Sequence, residues 1–155
     1  MKELELVGGF VALVDDEDYD YLNQYKWYKN RKGYAVRNNL PRVKGAGDTK
    51  MHRELVHAPI ESQVDHINRN KLDNRKENLR LCTNSQNKAN TLKYKNCKSK
   101  FKGVSTSGKI MWRARISVDK NTIYLGQFSS EIDAAKAYDE AAKKYFGEFA
   151  NLNFK

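Results

Sequence analysis

The stretch Val64-Asp-His-Ile-Asn-Arg-Asn-Lys-Leu-Asp-Asn-Arg-Lys-Glu-Asn-Leu-Arg-Leu-Cys-Thr-Asn-Ser-Gln-Asn87 decides how this chain is read. Residues 64–67 and 79–82 each form a short strand, and the Asn- and Arg-rich segment between them is a polar loop. A helix starts near Thr83 or Asn84, either of which can cap it. Asp65 and His66 are adjacent, so on a strand their side chains leave on opposite sides. If the strand end is twisted, one can bind a metal ion while the other addresses a water. Asn87, one turn into the helix, can return an amide oxygen toward Asp65. A carboxylate and an amide oxygen make a hard site, suited to Mg²⁺ with water and phosphate completing its shell.

On the N-terminal side, residues 10–14 read as a buried strand and residues 16–25 as a helix. Acids in its first turn favour the positive end of the helix dipole. The acids from Asp15 to Asp20 are read as a cap and a solvated helix start rather than a metal site. Residues 26–29 and 34–38 pair as a hairpin about residues 30–33. There Trp27, Tyr28 and Tyr34 are interleaved with basic residues, which suits a nucleic-acid surface or a core, and both stay open. Residues 51–57 form a short helix ending before Pro59, with His52 and His57 as packing residues.

On the C-terminal side, residues 101–106, 111–118 and 123–128 read as three strands turned at 107–109 and 119–121. Trp112, Ala114, Ile116 and Val118 alternate with Arg113, Arg115 and Ser117, so one face is apolar and the other basic. Ser130 caps a following helix, with Lys143 and Lys144 in its last turn. Ala134, Ala135, Tyr138, Ala141, Ala142 and Tyr145 recur at helical spacing, mostly small enough to lie close on the apolar face. A sheet covered on one side and basic on the other is a DNA-reading shape.

Charge and length set the class. In 155 residues, Lys and Arg total 29 against 19 Asp and Glu, a net charge of +10. Residues 1–87 and 103–155 each carry +2, leaving +6 in residues 88–102. That segment holds Lys88, Lys93, Lys95, Lys98, Lys100 and Lys102 and no acid. It reads as a boundary between modules, either an extended solvated tether or a strap along phosphates that releases counterions; the strap is preferred. No apolar run approaches the ~18 residues of a membrane span. The run at 7–14 is followed by four consecutive acids, so no secretory leader is expected. Cys82 and Cys97 form no C-x-x-C pair and read as idle thiols of a reducing compartment. The expectation is a cytosolic protein with a polyanionic partner.

Two resemblances sharpen this. Asp65-His66, Asn78-Leu79 and Asn87, within residues 51–90, resemble the HNH (ββα-metal) nucleases in the variant found in phage and intron-borne homing endonucleases. The resemblance implies that Asp65 and Asn87 hold one divalent ion, that His66 is the general base, and that Asn78 fixes the loop. Asn87 stands where other branches have histidine, which argues against a zinc-type site. Phe101-Lys-Gly-Val104, Trp112-Arg-Ala-Arg-Ile116, Tyr124-Leu-Gly-Gln-Phe128, Ala134-Ala-Lys-Ala-Tyr-Asp139 and Ala150-Asn-Leu-Asn-Phe154 resemble the plant ethylene-response-factor (APETALA-type) DNA-binding domain. By that resemblance the sheet enters the major groove, and Lys102, Arg113, Arg115, Ser117, Thr122, Tyr124 and Gln127 fall where the family contacts DNA. The plant domains carry further arginines on the first strand, where this chain has Ser105 and Ser107, so the plant recognition site does not transfer.

The expected architecture is α+β. A small N-terminal α+β region containing the nuclease motif (1–90) precedes a basic linker (88–102). A three-stranded antiparallel sheet packed on one helix (101–155) ends the chain. The expected function is Mg²⁺-dependent hydrolysis of a phosphodiester in duplex DNA, by a homing-type endonuclease acting as a monomer rather than a dimer. One divalent ion is implied, with Mn²⁺ able to substitute, and no organic cofactor or membrane. Lys93, Lys95, Lys98 and Lys100 join Lys102 in holding phosphates, and Arg53, Arg75 and Arg80 are unranked candidates for the scissile phosphate. By resemblance the setting is the cytosol or nucleoid of a host cell. The alternative is a non-cleaving transcriptional regulator with an inactive nuclease-like region. An RNA-binding protein is the third reading, without a recognition signature behind it.

Overall fold

Leu4 and Leu6 alternate with Glu3 and Glu5, and this period of two makes the first strand, β1 (Lys2–Leu6). It pairs antiparallel with β2 (Phe10–Val14), Leu4 opposite Ala12, through a turn at Gly8 and Gly9 where both φ angles are positive. The computed structural model describes residues 1–38, 47–93 and 97–154. The chain divides into two units, Met1–Cys82 and Thr83–Lys155.

In the first unit, α1 (Asp16–Leu22) is shorter than the acidic pattern suggests. Asp15 stands at its N-cap yet makes no capping bond; its Oδ2 accepts instead from the Lys76 amide at 2.7 Å. Asp18 pairs with Lys76 Nζ at 3.0 Å, so these acids clamp a distant loop rather than lying solvated. β3 (Tyr28–Lys29), β4 (Ala35–Arg37) and β5 (Thr49–Lys50) form an antiparallel sheet in that order. α2 (Met51–Leu55) follows, then β6 (Gln63–His66), a single 3-10 turn at Lys76–Asn78, and β7 (Leu79–Cys82). Leu4, Val14, Leu22, Trp27, Met51 and Val64 share one core. Trp27 belongs there, its indole N–H donating to Leu22 O at 2.9 Å, which settles that ring as core. His57 lies beyond α2, exposed and at φ 45°, so it is not the packing residue the sequence suggests.

In the second unit, α3 (Asn84–Asn90) begins with a capping box. Thr83 accepts from the Gln86 amide, and the Gln86 side chain accepts from the Thr83 amide. β8 (Val104–Ser107), β9 (Met111–Val118) and β10 (Asn121–Phe128) form an antiparallel sheet with β9 central. α4 (Glu131–Phe146), capped by Ser130, covers one face. Ala114 and Ile116 of the sheet meet Ala134, Ala135 and Ala142 of the helix, whose methyl-sized side chains allow a close approach. Burying a side chain the size of Ile116 or Phe146 contributes roughly 2–3 kcal/mol. The approach is closest at Gly103, where a Cβ would stand 1.9 Å from the Tyr138 ring. Buried Asp139 anchors the chain end, accepting from the amides of Asn153 and Phe154 at 2.9 Å. The class is α+β, as expected, and no helix among the described residues is long and apolar enough to cross a membrane.

Candidate active site

β6 and β7 pair in antiparallel register with Asp65 opposite Arg80 and His66 opposite Leu79. Asp65 is 5% exposed and His66 4%, so two ionisable groups leave bulk water at the end of one strand. Burying a carboxylate without a cation is costly. Arg80 supplies the cation, donating from Nε at 3.0 Å and Nη2 at 2.9 Å to Asp65 Oδ2.

Side-chain amides hold the loop that follows β6. Asn78 Oδ1 accepts from the Asn68 amide at 2.9 Å, and Asn78 Nδ2 donates to Asp73 O at 2.8 Å. Asp73 in turn accepts from Arg75 Nε and Nη2, each at 2.8 Å, and from Asn68 Nδ2 at 2.7 Å. The loop is also stitched to β2, with Leu13 N donating to Leu72 O and Asn74 N to Leu13 O, both at 2.8 Å. So braced, it fixes the strand end that carries His66.

His66 packs among rings, 5.0 Å from His52 and 6.0 Å from Tyr34 between centroids. Burial pushes its imidazole below the usual histidine range. The Asn74 amide, Asp65 and Asp73 pull back, while Lys71 adds to the fall. Asn74 is wholly buried and makes no side-chain hydrogen bond of ordinary geometry among the described residues. His66 is therefore neutral at pH 7, the form able to accept a proton. His52 is pushed down to about 3, chiefly by burial, then by His66, Lys50 and Arg53. Sequence alone reads His52 as a packing residue. No local pattern reveals its neighbour, because the contact arises only when α2 docks beside β6.

The three arginines proposed for the scissile phosphate each bond groups close by. Arg53 donates to Ser62 O and Pro59 O, both at 2.6 Å; Arg75 holds Asp73, and Arg80 holds Asp65. Asn87 lies on α3, half-buried, its backbone N–H donating to Thr83 O at 3.0 Å; it belongs to the second unit. Among the described residues no three His, Cys, Asp or Glu side chains gather as a metal cluster. The donors in question are of mixed type, one acid and one amide.

Comparison with known proteins bears on this strand–loop–strand. A family model described as HNH endonuclease matches residues 54–89. An uncharacterized HNH endonuclease of Acanthamoeba polyphaga mimivirus is 33% identical over 151 residues, covering 94% of this chain and 75% of that protein. The chain belongs to the HNH endonuclease family. It is therefore a nuclease enzyme, and DNA is the substrate its family implies. HNH endonucleases generally use a divalent metal ion.

This HNH endonuclease also has partial plant likenesses. APETALA2-like protein 2 of Oryza sativa subsp. indica is 45% identical over 58 residues, 36% of this chain and 13% of that protein. An AP2/ERF and B3 domain-containing transcription repressor of Arabidopsis thaliana is 37% identical over 71 residues, 46% of this chain and 20% of its own length.

In the second unit of the HNH endonuclease the register sets Ser117 opposite Thr122, Arg115 opposite Tyr124 and Arg113 opposite Gln127. Arg115, Ser117, Thr122, Tyr124 and Gln127 are exposed and Arg113 half-buried. All six share the face away from α4. Tyr124 and Gln127 are three apart and would point oppositely on a regular strand; a bulge between Tyr124 and Gly126 adds Leu125 and brings them together. Arg113 Nη2 donates to Ser107 Oγ at 2.9 Å. Lys98 and Lys100 are exposed. Lys93 Nζ donates to Ser99 O at 3.0 Å, and Lys102 Nζ donates to Thr91 O at 2.7 Å and Lys88 O at 3.3 Å, capping the end of α3. Lys95 lies outside the described residues.

Proposed function

We propose that this endonuclease is of the homing type and hydrolyses phosphodiester bonds in duplex DNA, with His66 as general base and Asp65 and Asn87 holding one divalent ion. The observation that carries this reading is the nearly buried His66 imidazole next to Asp65 on a braced strand end, where burial favours its uncharged form. His66 takes a proton from water as the water oxygen attacks phosphorus, and the bond to the leaving 3′ oxygen breaks. Asn78 keeps the loop, and with it the imidazole, in place. The donors fit Mg²⁺: a carboxylate and an amide oxygen are hard ligands, and the Asp65 pocket already favours a cation, since it holds the Arg80 guanidinium. When bound, the ion would stabilise charge on the leaving oxygen as a Lewis acid.

In this reading the domains are a nuclease module over residues 1–90, a basic strap over 88–102 and an ethylene-response-factor-like module over 101–155. The sheet face bearing Arg113, Arg115, Ser117, Thr122, Tyr124 and Gln127 binds DNA, with Lys93, Lys95, Lys98, Lys100 and Lys102 on phosphates. The shared exposed face and the plant likenesses support this assignment. Tethering such a module raises the local concentration of a small catalytic unit at its target, and one site per chain suits a monomer. Supercoiled plasmid with Mg²⁺ tests the reading. Cutting is expected with Mg²⁺, none with EDTA, and none by His66→Ala, which still binds DNA. Cutting by His66→Ala, or with EDTA present, overturns it.

A further inference from the structure

We propose that His52 is a positioning residue for the general base, its ring fixing the plane in which His66 presents its nitrogens. This rests on the reading of His66 as that base. His52 comes from α2 and His66 from β6, so nothing in local sequence obliges them to meet. Their rings meet at 5.0 Å between centroids and 73° between planes, an edge-to-face contact, and Tyr34 backs both at 5.0 Å and 6.0 Å. A buried ring held edge-on by a second ring, with a third behind, loses the freedom to turn about its χ2. A general base gains from that loss, because proton transfer depends on the direction of the accepting nitrogen. His52 is 4% exposed and stands outside residues 54–89, the span of the family model. Because burial keeps it uncharged, it adds no positive charge beside the group that must take up a proton.

The test uses the full chain with His52→Leu, which removes the ring, and His52→Phe, which keeps one. Single-turnover cleavage with Mg²⁺, DNA affinity in EDTA and the His66 imidazole NMR resonances are recorded for each. His52→Leu is expected to cleave at least about tenfold more slowly at unchanged affinity, with the His66 resonances broadened or split. His52→Phe is expected to recover most of the rate and the single sharp set. Equal slowing in both variants with unaltered His66 resonances would reduce His52 to a packing residue and overturn the proposal, as would full activity in His52→Leu. The resonances report the ring whatever its chemical role, whereas cleavage by His66→Ala would refute the base assignment alone.

Discussion

Arg80 meets Asp65 through two nitrogens on a single oxygen, Oδ2, across the β6–β7 pair. The guanidinium is 13% exposed and the carboxylate 6%, so each neutralises the other away from water. Removing the cation leaves a buried anion. Arg80→Ala should therefore cost about 3 kcal/mol of stability, measured by urea unfolding in EDTA. A divalent ion that occupies Asp65 would replace the missing charge, so Mg²⁺ should raise the variant's melting temperature more than the parent's. Equal shifts in the two proteins would separate Asp65 from metal binding.

His52 has a pH signature of its own. Unfolded, it titrates near 6.5, whereas in the fold it is pushed down to about 3. As the pH falls the unfolded chain takes up this proton first. Its contribution is thus complete above about pH 6.5 and is lost progressively toward pH 3, at a slope approaching 1.4 kcal/mol per pH unit. His52→Phe should flatten stability across that window. Below about pH 4 a second loss begins, because Arg75 holds the Asp73 carboxyl below the usual range and that advantage disappears on protonation. Urea unfolding at several pH values checks both; parallel curves for parent and His52→Phe would contradict the first.

Gly103 has no room for a side chain. Its φ of 76° disfavours any L residue, and a Cβ would stand 1.9 Å from Tyr138 Cδ2. Gly103→Ala should destabilise the second unit by roughly 2–4 kcal/mol, from strain and overpacking together. Loss of amide protection in β8 and β9 by hydrogen exchange would show it. An unchanged exchange pattern would mean that α4 yields more easily than its alanine contacts suggest.

Arg113 and Arg115 lie two apart on β9, beside Gln127 and Tyr124. Replacing both with Ala should weaken DNA binding and lower the slope of log K against log salt by about 0.9 for each phosphate no longer neutralised. Melting temperature should hold, because Arg115 is exposed and Arg113 only half-buried. A weaker complex with an undiminished slope would mean that these residues touch bases rather than phosphates.

Legibility in the sequence followed how local each signal was. β9 alternates strictly, and its bounds match the sequence reading at both ends. Thr83 with Gln86 and Ser130 with Asp133 mark helix starts through bonds three residues long. β1 alternates as clearly in Leu4 and Leu6 but is short and rich in glutamate, and its pairing shows only once β2 is beside it. β5, two residues long, carries no pattern at all. Around the candidate site Asp65, His66 and Asn78 were legible because they are close in sequence and of telling types. The Arg80 pairing depends on register, and the Lys76 clamp by Asp15 and Asp18 spans about 60 residues. The ring of His52 depends on how a helix docks. None of these three is written in any local window.

Leu125 is one residue more than its partner strand requires. Its insertion acts as a phase shift, letting Ile123, Leu125 and Phe128 face inward while Tyr124 and Gln127 both face outward. Deleting it would restore a regular ladder, with Tyr124 and Gln127 two apart and still outward and Phe128 still inward, at the loss of one leucine packed on the core. The strand thus carries one more inward side chain than its partner has positions for, while the order of residues on its outer face stays that of a regular ladder.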